Sequence, residues 1–506
     1  MLFDLQRNSV FAAALAAVAL IWGCSRGTPP PVAKNAESAP AKSRATAKFA
    51  AIDDAVQPLL RTPWKGDLDE IAKRRVVRVL VPFRRPEFFY MGGRPVGILH
   101  EVFQELERLI NAKYKTTGAN RIVFGLIPTP QEKLRERMVT GLGDIAAYGL
   151  SITEENKQWV DFTTSTIAGL KIVAVTGPGA PELERVEDLS GKEVWVNFES
   201  RMKTDLDTLN ARLRSQGKAP AIVKAIDPAL EPGDVMEMVN VGTYPIALME
   251  SLYAEFWAQV FDRVTPRTEI VVADDVELGW GIQKGTPKLK EFLDDFVKTH
   301  RVTTAYGNSL IQKYLKEEQY ISNAREASEM KKFQAAAPLF KKYAAEYGLD
   351  YLLLAAQGYQ ESGLDQKVKS PVGAIGVMQV MPNTAASAPI NLPNVTDEDN
   401  NIHAGVRMIH FLIDNHFNEP GLDQFNRTLF AIAAYNAGPA RIAQCRQLAK
   451  DMGYDSNKWF GNVEVAVAKV VGHETTEYVG HVLKYYITFR LAMNMKSKHA
   501  APRRPM

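Results

Sequence analysis

Near residue 315 the hydrophobic pattern of this chain changes period, so a single packed core cannot serve both halves. Between residues 76 and 297 short apolar runs alternate with helical stretches. The runs 76–81, 122–127 and 144–148 read as strands, and 97–110 and 131–140 as helices. Such alternation predicts an α/β domain with a mostly parallel sheet. Beyond 315 the alternation disappears, and helical spacing recurs over 335–347, 351–362, 402–415, 428–437 and 463–471, the pattern of an all-α domain. A length of 506 residues, with 46% hydrophobic and 24% charged side chains, suits two or more globular cores.

The N-terminus obeys a different logic. Arg7 precedes an almost unbroken apolar stretch over 10–22, the arrangement of an export signal and too short to span a bilayer comfortably. The run Ile21, Trp22, Gly23, Cys24 resembles a bacterial lipobox, which implies acylation of Cys24 as the mature N-terminus. An uncleaved anchor and an ordinary signal with a coincidental cysteine are the alternatives. The other cysteine is Cys445, so with Cys24 acylated no intramolecular disulfide can form and packed cores must carry the stability. Residues 24–70 begin rich in Pro, Ala, Ser and Lys and read as a flexible tether. The net charge of +3 is spread without a basic block, which excludes a dedicated nucleic-acid binder.

Within the first half, VRVLVPFRRPEFFYMGGRPVGILHEVFQEL (77–106) and GLGDIAAYGLSITEENKQWVDFTTS (141–165) resemble the family 3 periplasmic solute-binding proteins. The segment 186–200 is similar to that family's crossover into the second lobe, and 278–297 to its return. The resemblance implies a two-lobed, periplasmic-binding-protein-like α/β domain with a ligand site between the lobes. Amino-acid binders of the family grip the ligand carboxylate with an arginine where this chain has Asn156. An amide imitates the bidentate guanidinium pair only as a single neutral hydrogen bond, so free amino acids are poor candidates. Glu250 stands where the family keeps an acid for the ligand amine, which leaves an amine-bearing peptide as a regulatory ligand and a ligand-free scaffold as the alternative.

In the second half Asp350 is placed to cap the helix YLLLAAQGYQES, and Gly363 offers its left-handed stop. Leu352, Leu353, Ala356 and Tyr359 are expected to form its core-facing sector. Glu361 then lies in the last turn, where the helix dipole and apolar neighbours disfavour its charged form. A carboxylic acid that stays protonated near neutral pH suits glycosidic cleavage, because the leaving oxygen must receive a proton.

Three further motifs narrow the chemistry. SPVGAIGVMQVMPNTA (370–385), AAYNAGPARI (433–442) and ETTEYVGHVLKYY (474–486) occur in order after the ES pair and resemble the soluble-lytic-transglycosylase family. That family has an all-α, lysozyme-like fold. Gly373 and Gly376 are expected to let the chain pass beside the helix end. The resemblance implies Glu361 as catalytic acid and then base, with Met378, Gln379, Tyr435, Asn436 and Tyr478 binding substrate, and leaves Asn401 and His403 as uncertain contacts. It also implies non-hydrolytic cleavage of peptidoglycan glycan strands between N-acetylmuramic acid and N-acetylglucosamine, giving 1,6-anhydromuramyl ends. Ordinary glycoside hydrolysis uses two carboxylates, and neither Asp350 nor Asp365 lies at a matched motif position. No cofactor is implied, and the eight histidines form no metal-binding cluster.

A solute-binding-like module ahead of such a domain resembles the layout of membrane-bound lytic murein transglycosylases, which implies a periplasmic protein held at the inner leaflet of the outer membrane. The expected divisions are 1–23 signal, 24–70 tether, 71–317 solute-binding-like module sensing a muropeptide or stem peptide, 318–495 catalytic domain and 496–506 disordered tail. A transport receptor and a catalytically silent peptidoglycan-binding protein are the competing readings.

Overall fold

The computed structural model describes residues 58–198, 200–301, 304–315 and 327–500. The expected signal, Cys24, most of the tether and residues 501–506 lie outside these. All described residues belong to one compact unit.

The strands of the first half are β1 (Val76–Val81), β2 (Phe89–Met91), β3 (Arg94–Val96), β4 (Val123–Pro128), β5 (Ile145–Ser151), β6 (Asp161–Phe162), β7 (Ile167–Thr176), β8 (Glu193–Val196), β9 (Ile222–Ala225), β10 (Ile246–Glu250) and β11 (Thr265–Ile282). Apart from the β2–β3 hairpin they form one sheet, ordered β4-β1-β5-β11-β7-β10-β8-β9, with β6 also on β11. β1 is buried along its whole length because it pairs on both edges.

Two expectations need correction. The sheet is mixed, with β1 parallel to β4 and β5, and β8 parallel to β9 and β10, whereas β11 runs antiparallel to β5 and β7, and β10 to β7. The passage between lobes also comes earlier than 186–200. β7 leads into the second lobe and the long β11 returns, paired from Thr265↔Thr176 to Leu278↔Ile167. Two strands crossing the same waist in opposite directions must be antiparallel. The second lobe has its own apolar cluster, including Leu170, Ile172, Val194, Leu206 and Leu248.

Folded structure begins before residue 70, where the tether was expected to end. The helix Leu68–Arg74 starts on a capping box of Asp67 and Glu70. The fully buried Arg78 donates to the carbonyls of Thr62 (2.9 Å), Trp64 (2.9 Å) and Gly141 (2.7 Å) while its guanidinium pairs with Asp144 at 2.8 Å. A buried guanidinium needs this many acceptors, and they fasten the entering chain to the sheet.

The second half is helical, with helices Ala327–Tyr347, Tyr351–Ser362, Glu398–His416, Gln424–Ala437, Pro439–Asp451 and His473–Ala500 among its elements. The last of these runs into 496–506, the segment expected to be disordered. Asp350 Oδ1 accepts from Leu352 N at 2.8 Å, and Gly363 ends that helix at φ 63°. Burial covers every residue from Leu353 to Gly358. The helix is thus enclosed on all sides in its middle, not along one sector, because other helices pack around it.

The two halves touch. Lys484, on the helix His473–Ala500, reaches Asp234 at 3.0 Å and Glu237 at 3.1 Å on the helix Pro232–Asn240. Arg85 pairs with Glu477 at 2.6 Å, and the Tyr454 hydroxyl donates to Pro128 O at 2.7 Å. Among the described residues, no helix is long and apolar enough to cross a membrane.

Candidate active site

Glu361 sits partly exposed in the last turn of the helix Tyr351–Ser362. The Tyr478 hydroxyl, from the helix His473–Ala500, donates to Glu361 Oε1 at 2.6 Å. Burial pushes the Glu361 carboxyl above its ordinary range, and the Tyr478 hydrogen bond offsets part of that rise by favouring the anion. No second carboxylate figures among these influences. Tyr478 is 7% exposed, and burial together with the neighbouring carboxylate holds its hydroxyl protonated. The pair is a carboxyl whose protonated form is favoured by burial, with one oriented donor to steady the anion left when the proton is given up.

The loop 366–380 wraps past the helix end. Gly376 adopts φ 77°, and a Cβ there would lie 2.4 Å from Gln366 Oε1 and 2.7 Å from Asn401 Nδ2. Those amides hold the loop. Gln366 Oε1 accepts from Val377 N at 3.1 Å, and Asn401 accepts from Met378 N at 2.8 Å while donating to Ile375 O at 2.8 Å and Val395 O at 3.1 Å. Gly376→Ala is therefore expected to destabilise the domain by about 2–4 kcal/mol, combining left-handed strain with displaced hydrogen bonds. Thermal denaturation beside the parent checks it.

Several expected contacts look different in three dimensions. Met378 is 0% exposed, so its side chain belongs to the core and not to a substrate cleft, although its carbonyl accepts from the Tyr435 hydroxyl at 2.8 Å. Gln379, partly exposed, donates to Val368 O at 3.2 Å and Gly376 O at 2.9 Å, so its amide nitrogen serves the loop. Tyr435 is half-buried, and burial and the Glu361 charge raise its hydroxyl pKa. Asn436 is exposed, with Oδ1 accepting from the Thr475 hydroxyl at 2.8 Å. Asn401 is fully buried as the loop's fastener, and His403 stacks on Tyr343 at 4.0 Å.

Sequence reasoning passes over Ser362, whose hydroxyl donates to Val377 O at 2.9 Å and ties the helix end to the loop. It also passes over Gln366, for which no local signal exists.

In the first half, Asn156 is not free for a ligand. Its amide donates to Ser151 O at 2.9 Å and accepts from Trp159 Nε1 at 3.2 Å, closing its own turn. Glu250 ends β10, its carboxyl raised by burial and opposed by the charges of Arg84 and Arg201. Those two arginines, and not position 156, supply the positive charge near Glu250. Among the described residues no group of three or more His, Cys, Asp or Glu side chains is placed to hold a metal ion.

Residues 338–458, which include Glu361 and its loop, match the family model described as the transglycosylase SLT domain. This part of the chain is similar to SLT domains. Over 450 residues the chain is 25% identical to membrane-bound lytic murein transglycosylase F of Stutzerimonas stutzeri (strain A1501), covering 83% of this chain and 86% of that one. It is also 25% identical over 458 residues to the protein of the same name from Vibrio cholerae, covering 83% and 81%. Solved structures similar to the part ahead of the SLT-like domain include a mutant of ArgBP from T. maritima, with TM-score 0.37 and 20% identity over 49% of this chain and 99% of that one. Another is the amino acid ABC transporter substrate-binding protein AbpA from Streptococcus pneumoniae, with TM-score 0.38 and 18% identity over 49% and 98%. Tyr478 lies beyond the matched SLT residues, yet it is the side chain that touches Glu361.

Proposed function

We propose that the chain is a peptidoglycan lytic transglycosylase acting through Glu361. The observation that carries this reading is a half-buried carboxyl in an SLT-like domain, held at 2.6 Å by a single tyrosine hydroxyl and free of any carboxylate neighbour influencing it. Protonated Glu361 gives its proton to the glycosidic oxygen between N-acetylmuramic acid and N-acetylglucosamine as that bond breaks, and the 2-acetamido oxygen attacks the anomeric carbon. The resulting Glu361 carboxylate, steadied by Tyr478, takes the proton of the muramyl 6-hydroxyl. That oxygen closes on the anomeric carbon, the acetamido group is released, and Glu361 is again protonated. Water is not consumed, so one carboxyl suffices where hydrolysis uses two. Tyr435, Asn436 and Gln379 are the partly or fully exposed members of the proposed substrate set, and Met378 supports the loop from beneath.

The two-lobed module is read as a sensor of a charged cell-wall fragment, muropeptide or stem peptide, at Glu250, Arg84 and Arg201. The helix that carries Tyr478 also carries Lys484 and Glu477, which pair with the module, so a ligand that repositions the module has a physical route to the catalytic hydroxyl. Acylation of Cys24 and anchoring at the outer membrane complete the proposal.

The test is mass spectrometry of soluble products from purified peptidoglycan incubated with the purified protein. The expected products carry 1,6-anhydromuramyl ends. Reducing muramic ends in their place overturn the mechanism, and no products at all overturn the enzyme reading.

A further inference from the structure

One turn before Glu361, on the same helix, lies Gln357, a polar side chain that the catalytic reading leaves without a task. It is 0% exposed, and neither its Nε2 nor its Oε1 has a hydrogen-bond partner. Buried amides are nearly always satisfied, because leaving both ends unpaired forfeits their hydration with nothing in return. Residues four apart share a helix face, and side chains there lean toward the N-terminus, so Gln357 lies beneath the Glu361 side chain.

The neighbour in reach is Tyr478. The Gln357 amide acts on the Tyr478 oxygen as a donor, favouring its charged form, although the contact falls short of an ordinary hydrogen bond. Tyr478 has a single proton, given to Glu361 Oε1, and lone pairs left to accept. A donor behind it polarises the O–H and strengthens its bond to the carboxylate.

Resting on the transglycosylase reading, we infer that Gln357 is a positioning residue for the acid/base. Its N–H donates to the Tyr478 oxygen when Glu361 becomes an anion, forming a relay from amide to phenol to carboxylate. When Glu361 is protonated the demand on Tyr478 falls and the contact loosens. The relay thus supports the second half of the reaction, in which Glu361 works as a base. A merely structural glutamine has no reason to be left unpaired beside the one donor to the catalytic carboxyl.

The experiment compares parent, Gln357→Leu and Gln357→Met, each also in a Tyr478→Phe background, as whole protein. Thermal denaturation, the pH profile of kcat/KM for anhydromuramyl product release, and carbon-13 NMR titration of the Glu361 carboxyl are measured. In the Tyr478-containing protein each Gln357 substitution is expected to leave thermal stability equal or higher, because an unpaired buried amide is gone. The Glu361 titration and the alkaline limb of kcat/KM are expected to move to higher pH, and turnover to fall about three- to tenfold. In the Tyr478→Phe background the same substitutions are expected to move neither. An unchanged titration in both Gln357 variants overturns the inference, as does a shift that persists without the Tyr478 hydroxyl. A parent that titrates as expected yet releases no anhydromuramyl product overturns the enzyme reading while leaving the relay standing.

Discussion

Glu361→Gln is expected to lower the release of 1,6-anhydromuramyl products at least about a thousandfold while leaving the protein folded. The loss is large because one group serves two steps: an amide neither donates a proton to the glycosidic oxygen nor accepts one from the 6-hydroxyl. The substitution conserves shape, and the amide oxygen still accepts from Tyr478. It also carries a signature in stability against pH. Burial raises the folded carboxyl above its unfolded value, so the folded state holds its proton longer as pH rises. Between the unfolded value and the raised one the folded state binds more protons, and its stability therefore falls with increasing pH. The Gln variant lacks that contribution. Thermal melts over pH 4–8 should show a gentler decline for the variant than for the parent, and product analysis at one pH measures the activity. Retained turnover would dismiss Glu361 as the acid/base.

Lys484→Met is expected to destabilise the protein by about 3–5 kcal/mol. Lys484 is nearly buried between Asp234 and Glu237, with Glu237 more deeply enclosed still. Burial alone would depress the ammonium pKa, yet the two carboxylates outweigh it and raise it. Methionine fills about the same volume but removes the cation that both acids share, and taking one member out of a buried charge pair is the costly outcome. Adding Glu237→Gln to Lys484→Met should recover part of the loss, and urea unfolding of the two variants and the parent measures both. A change below about 1 kcal/mol would mean that this junction is solvated and holds the halves together only weakly.

Much of the architecture is readable from short-range pattern. β1 is an apolar run broken by the buried Arg78 alone, as suits a strand paired on both edges and buried at every position, and the helix Tyr351–Ser362 is bounded where Asp350 and Gly363 place its ends. Direction of pairing is not local information: an isolated strand such as β11 gives no sign that it will run antiparallel to β5 and β7. The site divides in the same way. Glu361 is legible from its helix end and the motifs C-terminal to it. Whether Met378 faces a cleft or the core depends on which way a loop residue turns, and that is set by Asn401 and Tyr435, 23 and 57 positions away. Asn156 likewise looks available in the sequence because its partners, Ser151 and Trp159, become partners only when the turn closes.

Residue type and spacing within a few turns are thus enough for the two kinds of core, the ends of the catalytic helix and the identity of its terminal carboxyl. Three-dimensional packing was needed to establish that Tyr478 supplies the donor to that carboxyl, that Gln357 lies unpaired beside it, and that Lys484 joins the same helix to the other half. Those facts rest on contacts 117, 121 and 247 or more residues apart along the chain, where distance in space is set by packing and no local pattern records it.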